Sequence, residues 1–593
     1  MNKFQLTLCS FIGLFLLSTP TLSEGKNKPI KGYADLHAHL FVHLAYNGQW
    51  YHPAPDARTS KPKWDNIKKQ AMQTAWLKKA HRDGLKLIVV SLVNFEPLCN
   101  ILDTKRRFNP SRKARRKANA RTWSKSKSLR DRCSDMKHVW KQLKAARDYE
   151  KRHKSWFKIV TSPAEARRTI AQGKLAAVLH IEVSNLMDER YGPWKTQLDK
   201  LYKAGVRAMQ PVHQLNNRFG GCAFHHNFFK MFEYVKNKKK LGDKGKTSRG
   251  FKMDKHKRNR LGLHGKGKEL IQEMIRKKML VDVAHLSQRG ISAVYSILKR
   301  HNYYPMFVSH TWIHENIVGS IGKKRENPNS KERQWSKDLK REHIDLVMRT
   351  GGMIGLRPGA QELRGFIPRR GKAVANTCHG STRSFAQMYN YVKSLGATVG
   401  IGSDLNGFIA MTQPRFGSHA CSATYVHCTG SDITEKAKNF VKNKILGKCK
   451  AFKAEMHKQR KLQTRRLRTE FDTMGFSHVG VFGDFVKDLQ NVGGDIRPIQ
   501  NSAENFIRMW ERAYGKRSNR SLPGAKRNTG RFVRVKGRDD RAKIKDNVAV
   551  KTIKTVKKGV KKVKKGVKKG AKKVKKGAKK AWSKTKKFFK RKK

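Results

Sequence analysis

Short apolar runs that end in a histidine or a carboxylate recur along this chain, and between them the apolar spacing turns helical. The first is GYADLHAH, Gly32–His39, with His37 and His39 two positions apart. In a strand, residues i and i+2 face the same side, so both imidazoles aim at one point. KLAAVLHIEVSN (Lys174–Asn185) carries His180 and Glu182 on one face, and Val206–Val212 leads to His213. MLVDVAH ends at His285, YPMFVSH at His310 and ATVGIGSD at Asp404. Leu85–Val93 and Gly352–Leu356 read as further buried strands. Helical spacing occupies Ile67–His81, Met136–His153, Leu198–Ala204, Glu269–Lys278, Ile291–Arg300, Lys337–Arg349 and Ser384–Ser394. Val479–Leu489 and Ala503–Ala513 read as closing helices. Strands alternating with helices build parallel α/β architectures. Reactive groups at the C-terminal ends of the strands point to a TIM-type (β/α)8 barrel, where that edge gathers the catalytic residues. An open dinucleotide-binding sheet fits less well, because no Gly-rich phosphate loop follows the first strand.

A lone HxH pair, or one strand ending in histidine, is more often structural than functional. The joint occurrence, always at a strand end, is what points to a metal site. Imidazole and carboxylate suit zinc and similar borderline metals. His37, His39, Glu182, His285 and His310 are the expected ligands of two divalent ions, with Glu182 between them. Water activated between two such ions can attack a polarised carbonyl. Asp404 is then the candidate proton shuttle and His213 the candidate donor to the developing oxyanion. The reaction class is metal-assisted hydrolysis of an amide, ester or related bond.

The 593 residues carry a formal charge of +90, which implies attraction to polyanions such as nucleic acid, anionic lipid or acidic cell-wall polymer. Lys3, the apolar run Leu6–Leu17 and the small, polar stretch Ser18–Ser23 read as a secretory signal with cleavage near Ser23. The run is too short to span a bilayer. Export permits disulfides. Removing Cys9 with the signal leaves seven cysteines, an odd number whose pairing the sequence leaves open. No CxxC is present, so a zinc ribbon has no support. Lys105–Arg132 and Lys236–Arg260 read as exposed basic insertions. The expected division is a signal over 1–23, a barrel domain over 27–515 and a basic low-complexity tail over 516–593. Within the tail, Ile553–Phe589 repeats a KKGVKK pattern whose apolar residues step by three or four. Glycines and lysine repulsion oppose a helix there, so the tail is expected either to be disordered alone and helical on an anionic surface or to be a plain solvated lysine tail.

The order DLHAH, HIEVSN, GVRAMQPVHQLNN, MLVDVAHLS, FVSHT, RQWSKDLKREHIDLVMRTGGMIG and GIGSDLNG resembles the membrane (renal) dipeptidase family of the amidohydrolase superfamily. The resemblance runs from about Gly32 to Gly407, and ENFIRMW is similar to the family's closing helix. It implies a barrel with a binuclear zinc site that cleaves dipeptides. His37 matches the first ligand, Glu182 the bridging glutamate, and His285 and His310 the ligands of the second ion. His213 matches the histidine that contacts the substrate carbonyl, and Asp404 the acid/base aspartate. The substrate-carboxylate arginine falls on Arg333, with Arg325 a second choice. His39 stands where the family usually has aspartate; HxH is the commoner form across the wider superfamily. The exchange removes a negative charge from the first ion's surroundings and makes the site more electrophilic. His225 and His226 read as loop histidines. Two other functions fit the same residues: a same-fold hydrolase of a lactone, phosphoester or cell-wall amide, or a secreted polyanion binder built on a relic barrel.

Overall fold

The computed structural model describes residues 29–48, 52–57, 62–63, 65–66, 70–107, 132–224, 229, 232, 251, 254, 258–315, 338–360, 378, 380–417, 420 and 469–515. The chain divides into two units, Met1–Lys526 and Arg527–Lys593, and the second lies wholly outside these residues. The signal-like start, most of both basic insertions and the tail also lie outside them.

Nine strands follow in chain order: β1 (Tyr33–Ala38), β2 (Leu85–Asn94), β3 (Phe157–Ile159), β4 (Leu175–Val183), β5 (Val206–Met209), β6 (Leu280–Asp282), β7 (Met306–Thr311), β8 (Met353–Leu356) and β9 (Val399–Ile401). All pairings between them are parallel, in the order β2-β1-β9-β8-β7-β6-β5-β4-β3. A further β2–β4 pairing closes the sheet. Eight strands therefore form a (β/α)8 barrel, and β3 is an extra short strand beside the start of β4. Strands covered on both faces read as continuous apolar runs, and β4 is buried at every position. The helices α1 (Thr74–Arg82), α2 (Glu96–Arg107), α3 (Asp135–Arg152), α4 (Pro163–Ala171), α5 (Trp194–Lys203), α6 (Gly265–Arg276), α7 (Gln288–Arg300), α8 (Arg341–Arg349), α9 (Thr382–Ser394), α10 (Phe482–Asn491) and α11 (Ser502–Ala513) supply the outer layer.

Most element expectations hold to within a few residues. Several runs are shorter than the spacing predicts: β5 stops at Met209 rather than Val212, β9 keeps only Val399–Ile401 of Ala397–Asp404, and two more are cut for reasons the contacts show. The helix expected over Ile67–His81 begins at Thr74, because the Ala71 carbonyl instead accepts from Val479 N at 3.0 Å and the Gln70 carboxamide accepts from Asn406 N at 2.9 Å. The strand expected over Met279–His285 stops at Asp282, whose side chain accepts from Ala284 N and Ser309 N, both at 3.0 Å, and turns the chain. Lys105–Arg107, expected in an insertion, instead finish α2. β3 and α4 were not legible: β3 is only three residues long, and α4 follows from the Ser162 cap, Pro163 and Glu165 rather than from periodicity.

The ends of the barrel domain meet. Gly32 N donates to Gln500 O at 2.6 Å, Ala34 N to Ser502 Oγ at 2.7 Å and Ile30 N to Glu504 Oε2 at 3.0 Å. α11 thus closes the base of β1, and Phe506 and Trp510 bury completely beneath it. A second apolar cluster lies in the loops after β1, β2 and β5, around Val42, Tyr46, Phe95 and Leu215. The disulfide Cys99–Cys133 is part of it.

Candidate metal centre

Parallel register carries several strands to one edge, and the side chains just beyond that edge converge. His37 is the next-to-last residue of β1 and His39 lies one residue beyond its end. Pairing of Val93 with Glu182 sets Glu182 beside the end of β2. The Glu182 carboxylate sits at the centre. Its Oε2 lies 3.1 Å from His37 Nε2 and 3.4 Å from His39 Nε2. Its Oε1 lies 3.1 Å from His285 Nε2, 3.7 Å from His310 Nε2 and 3.6 Å from His213 Nε2. The His285 and His310 Nε2 atoms are 3.0 Å apart. Asp404 borders the first pair, with Oδ1 3.0 Å from His39 Nε2 and 3.8 Å from His37 Nε2.

Backbone geometry holds these groups. Asp404 N donates to His37 O at 2.7 Å, and His39 N to Leu405 O at 3.1 Å, so β1 and the segment after β9 lock the two sides together. His285 and Asp404 have φ of 64° and 53°. Positive φ in side chains other than glycine is uncommon and gathers at functional sites. Gly407 must lack a Cβ, because one would overlap the Asp404 carboxylate. Gly402 likewise lets the end of β9 press against Ser309 and His310.

Behind the cluster is a supporting layer. His180 Nε2 lies 3.0 Å from Asp282 Oδ2, and its Nδ1 lies 2.9 Å from Ser91 Oγ. The His39 Nδ1 lies 3.1 Å from the Ser91 carbonyl, a partner that fixes the ring with Nε2 toward the cluster. Asp35 accepts from Ser403 Oγ at 2.6 Å and Ser403 N at 2.9 Å. Burial pushes the Asp35 carboxyl up to about 7 despite these bonds.

Electrostatics favour a donor set in its ligating form. Burial holds the His37 imidazolium down to about 4, His39 below its ordinary value and His310 well below it. Burial alone would raise Glu182, but the surrounding imidazoles, with hydrogen bonds from His285 and His37, hold it well below the usual carboxylate range. Neutral imidazoles around an ionised carboxylate are the state that binds a divalent cation. The groups also fit by distance. His37, His39, Glu182 and Asp404 bring four ligand atoms within 4.8 Å of one another, and Glu182, His213 and His285 bring three. A third group, His37, His180 and Asp282, meets the same distance below the edge.

The structure therefore brings together His37, His39, Glu182, His213, His285, His310 and Asp404. Arg333, Arg325, His225 and His226 lie outside the described residues. One neighbour was missed. Arg357, the first residue after β8, forms an ion pair with Asp404 Oδ2. Its strand-end position is the one signal in the sequence, but arginine is not a metal ligand and so lacks the chemistry that marks the histidines and carboxylates.

Comparison with known proteins gives this cluster a context. The sequence profile of the membrane dipeptidase family (peptidase family M19) matches residues 103–247, which include Glu182 and His213. The chain resembles the membrane dipeptidases. An uncharacterized protein in the PQQ-III 3′ region of Acinetobacter calcoaceticus is 26% identical over 158 residues, 27% of this chain and 39% of that protein. The aligned stretch thus spans well under half of that relative's length. Among solved structures, the probable dipeptidase PvdM from Pseudomonas aeruginosa is 13% identical, with a TM-score of 0.47 over 82% of this chain and 96% of its own. A metallopeptidase from Rhodobacter sphaeroides, liganded with a phosphinate mimic of the dipeptide L-Ala-D-Ala, is also 13% identical, with a TM-score of 0.44 over 82% of this chain and 100% of its own.

Proposed function

We propose that this chain is an exported, zinc-dependent hydrolase that cleaves a dipeptide or related amide bond at a two-ion centre. One observation carries the reading: the two oxygens of Glu182 face two separate sets of imidazoles, His37 with His39 and His285 with His310. A carboxylate so placed is suited to lie between two cations. The family match supports a metal and a dipeptide-type substrate. Divalent ions held there would supply Lewis acidity toward a carbonyl oxygen and a more acidic water. The protein's own groups do the rest. Asp404 Oδ1, beside His39, accepts a proton and returns it to the leaving amine. His213, at the rim of the cluster, holds the substrate carbonyl oxygen through Nε2. Arg333 is assigned to the substrate carboxylate. Burial of Glu182, His213 and Asp404 limits screening of their contacts.

A second reading keeps the fold and changes the bond: a lactone, an ester or a cell-wall amide. It is favoured by His39, an imidazole where the family carries a carboxylate. The signal-like start supports an exported protein, periplasmic or extracellular. The charge of +90 supports contact of the Lys-rich end with an anionic surface such as lipid, cell-wall polymer or nucleic acid.

Metal analysis of the purified mature protein, with zinc-supplemented assays on dipeptides and esters, tests the proposal. Two ions per chain and dipeptide turnover are expected. His285→Ala is expected to lose an ion and at least about a hundredfold in rate while staying folded. Undiminished turnover in that variant sinks the reading. Ester turnover without dipeptide turnover selects the second one.

A further inference from the structure

The outer wall of the barrel carries a concave patch that the metal cluster does not use. A cavity of about 220 Å³ lies between α3 and α5, lined by Met136, Lys137, Trp140, Tyr191, Gln197 and Lys200. Its walls are held in place. Met136 Sδ accepts from Met187 N at 3.3 Å. Gln197 Nε2 donates to Asp188 O at 2.8 Å and to Gly192 O at 2.7 Å, which fixes the turn that carries Tyr191. Trp140 is 40% exposed, so its indole is an open face rather than part of the core. The Tyr191 hydroxyl is buried and has no hydrogen-bond partner among the described residues. Such a hydroxyl is unfavourable until something bonds it, and a ligand in the cavity would do so.

Charge and size narrow the occupant. No lining residue is acidic, and Lys137 and Lys200 are exposed. Lys141 and Lys203 extend the basic surface along the two helices. The carboxylates closest in sequence are engaged by other cations: Asp188 by Arg190, Glu189 by Arg218 and Lys266, and Asp199 by Lys277. The patch is therefore positive and suits an anion. Pockets for drug-sized ligands begin near about 300 Å³, so this smaller one takes a single ring. Readers of single-stranded nucleic acid stack successive bases on a track of aromatic side chains. Here the other exposed large aromatic residues among those described, Tyr303 and Tyr514, lie outside the lining. A concavity with a hydroxyl in its wall also suits a ring that enters it better than a bilayer laid across it.

We propose that this cavity binds an acidic sugar ring, such as a uronic acid unit of a polysaccharide. The apolar face of the ring lies on the Trp140 indole, a ring hydroxyl bonds the Tyr191 hydroxyl, and the carboxylate faces Lys137 and Lys200. The lining contains no residue of the metal cluster, so the inference stands apart from the two-ion reading. It gives the barrel itself, and not only the Lys-rich end, a means of holding an acidic polymer.

Isothermal titration of the purified chain with trigalacturonate, in about 0.15 M salt to screen the Lys-rich end, tests this. Maltotriose, neutral and with the same number of rings, is the control. Binding of trigalacturonate and not of maltotriose is expected. Trp140→Ala should weaken it by about tenfold or more. Lys137→Glu combined with Lys200→Glu should weaken it by about as much. Lys144→Glu, on α3 but outside the lining, should leave the affinity unchanged. These side chains are exposed, and a melting curve checks that each variant is folded. No binding, equal binding of maltotriose, or an affinity that both Trp140→Ala and the double charge variant leave intact overturns the proposal. An equal loss in Lys144→Glu also overturns it, because general surface charge would then account for the binding. Tighter, Trp140-dependent binding of a thymidine oligonucleotide or of phosphatidylglycerol vesicles assigns the cavity to another partner and overturns the sugar.

Discussion

Asp404 shows how tightly single residues are specified at this centre. It sits at φ 53°, its amide is taken by His37 O, and its two oxygens divide between His39 and Arg357. The absence of a side chain at Gly407 leaves room for that carboxylate. Gly407→Ala should therefore displace Asp404 and reduce turnover by at least about tenfold, with little change in overall fold. The Asp404 shift should appear in a crystal structure of the variant, and full activity would contradict it. Histidines and carboxylates at strand ends were legible because their chemistry and their position agree. Arg357 was not, because its role depends on which strand end lies beside β9, and that adjacency is set by barrel closure.

At the scale of elements, the register of β4 decides the layering of the site. His180 and Glu182 share a face, as strand alternation requires, yet they serve different layers. His180 pairs with Asp282 and Ser91 below, while Glu182 reaches the imidazoles above. Asp135 at the start of α3 ties two strand ends together. It accepts from Asn94 Nδ2 at 2.9 Å, Glu96 N at 2.8 Å and Asn185 N at 2.7 Å. The disulfide Cys99–Cys133 then joins α2 to the residues just before α3 across a sequence separation of 34. The odd cysteine count left this pairing open, and proximity in the fold settled it. Closing a loop of that length contributes about 3–4 kcal/mol in the chain-entropy account. Replacing both cysteines with alanine should lower the melting temperature by several degrees, measured without reductant. An unchanged melting temperature would show that packing alone holds the α2–α3 corner.

For the whole molecule, chain closure and buried ionisation set the stability. Trp510 is fully buried on α11, which clamps the base of β1. Trp510→Ala should cost about 3–5 kcal/mol in denaturant unfolding, and a loss under 1 kcal/mol would argue against a closing role. Burial also holds His52, His138, His314 and His343 down to about 4. The unfolded chain takes up those protons near 6.5 and the folded chain does not, so stability falls as pH drops from about 6.5 to about 4. Asp35 and Asp135, raised by burial to about 7, act in the opposite sense: the folded chain keeps their protons, so their contribution grows as pH falls from about 7 to about 4. His37, held at about 4 in the same way, adds to the histidine side, so the loss in acid outweighs the gain from the two aspartates. Thermal unfolding at pH 7 and pH 4.5 should show a lower midpoint in acid. A higher one would mean that the two aspartates dominate.

The sequence by itself determined the alternation of strands and helices, the barrel class, and the residues that converge at its edge. Those follow from local periodicity and from side-chain chemistry placed at strand ends, both of which are readable over a few residues. Tertiary structure decided which oxygen of Glu182 faces which imidazoles, the partner of Cys99, and the placing of Arg357 against Asp404. Each of these depends on contacts between segments far apart in the chain, brought together only when β2 pairs with β4 and the barrel closes.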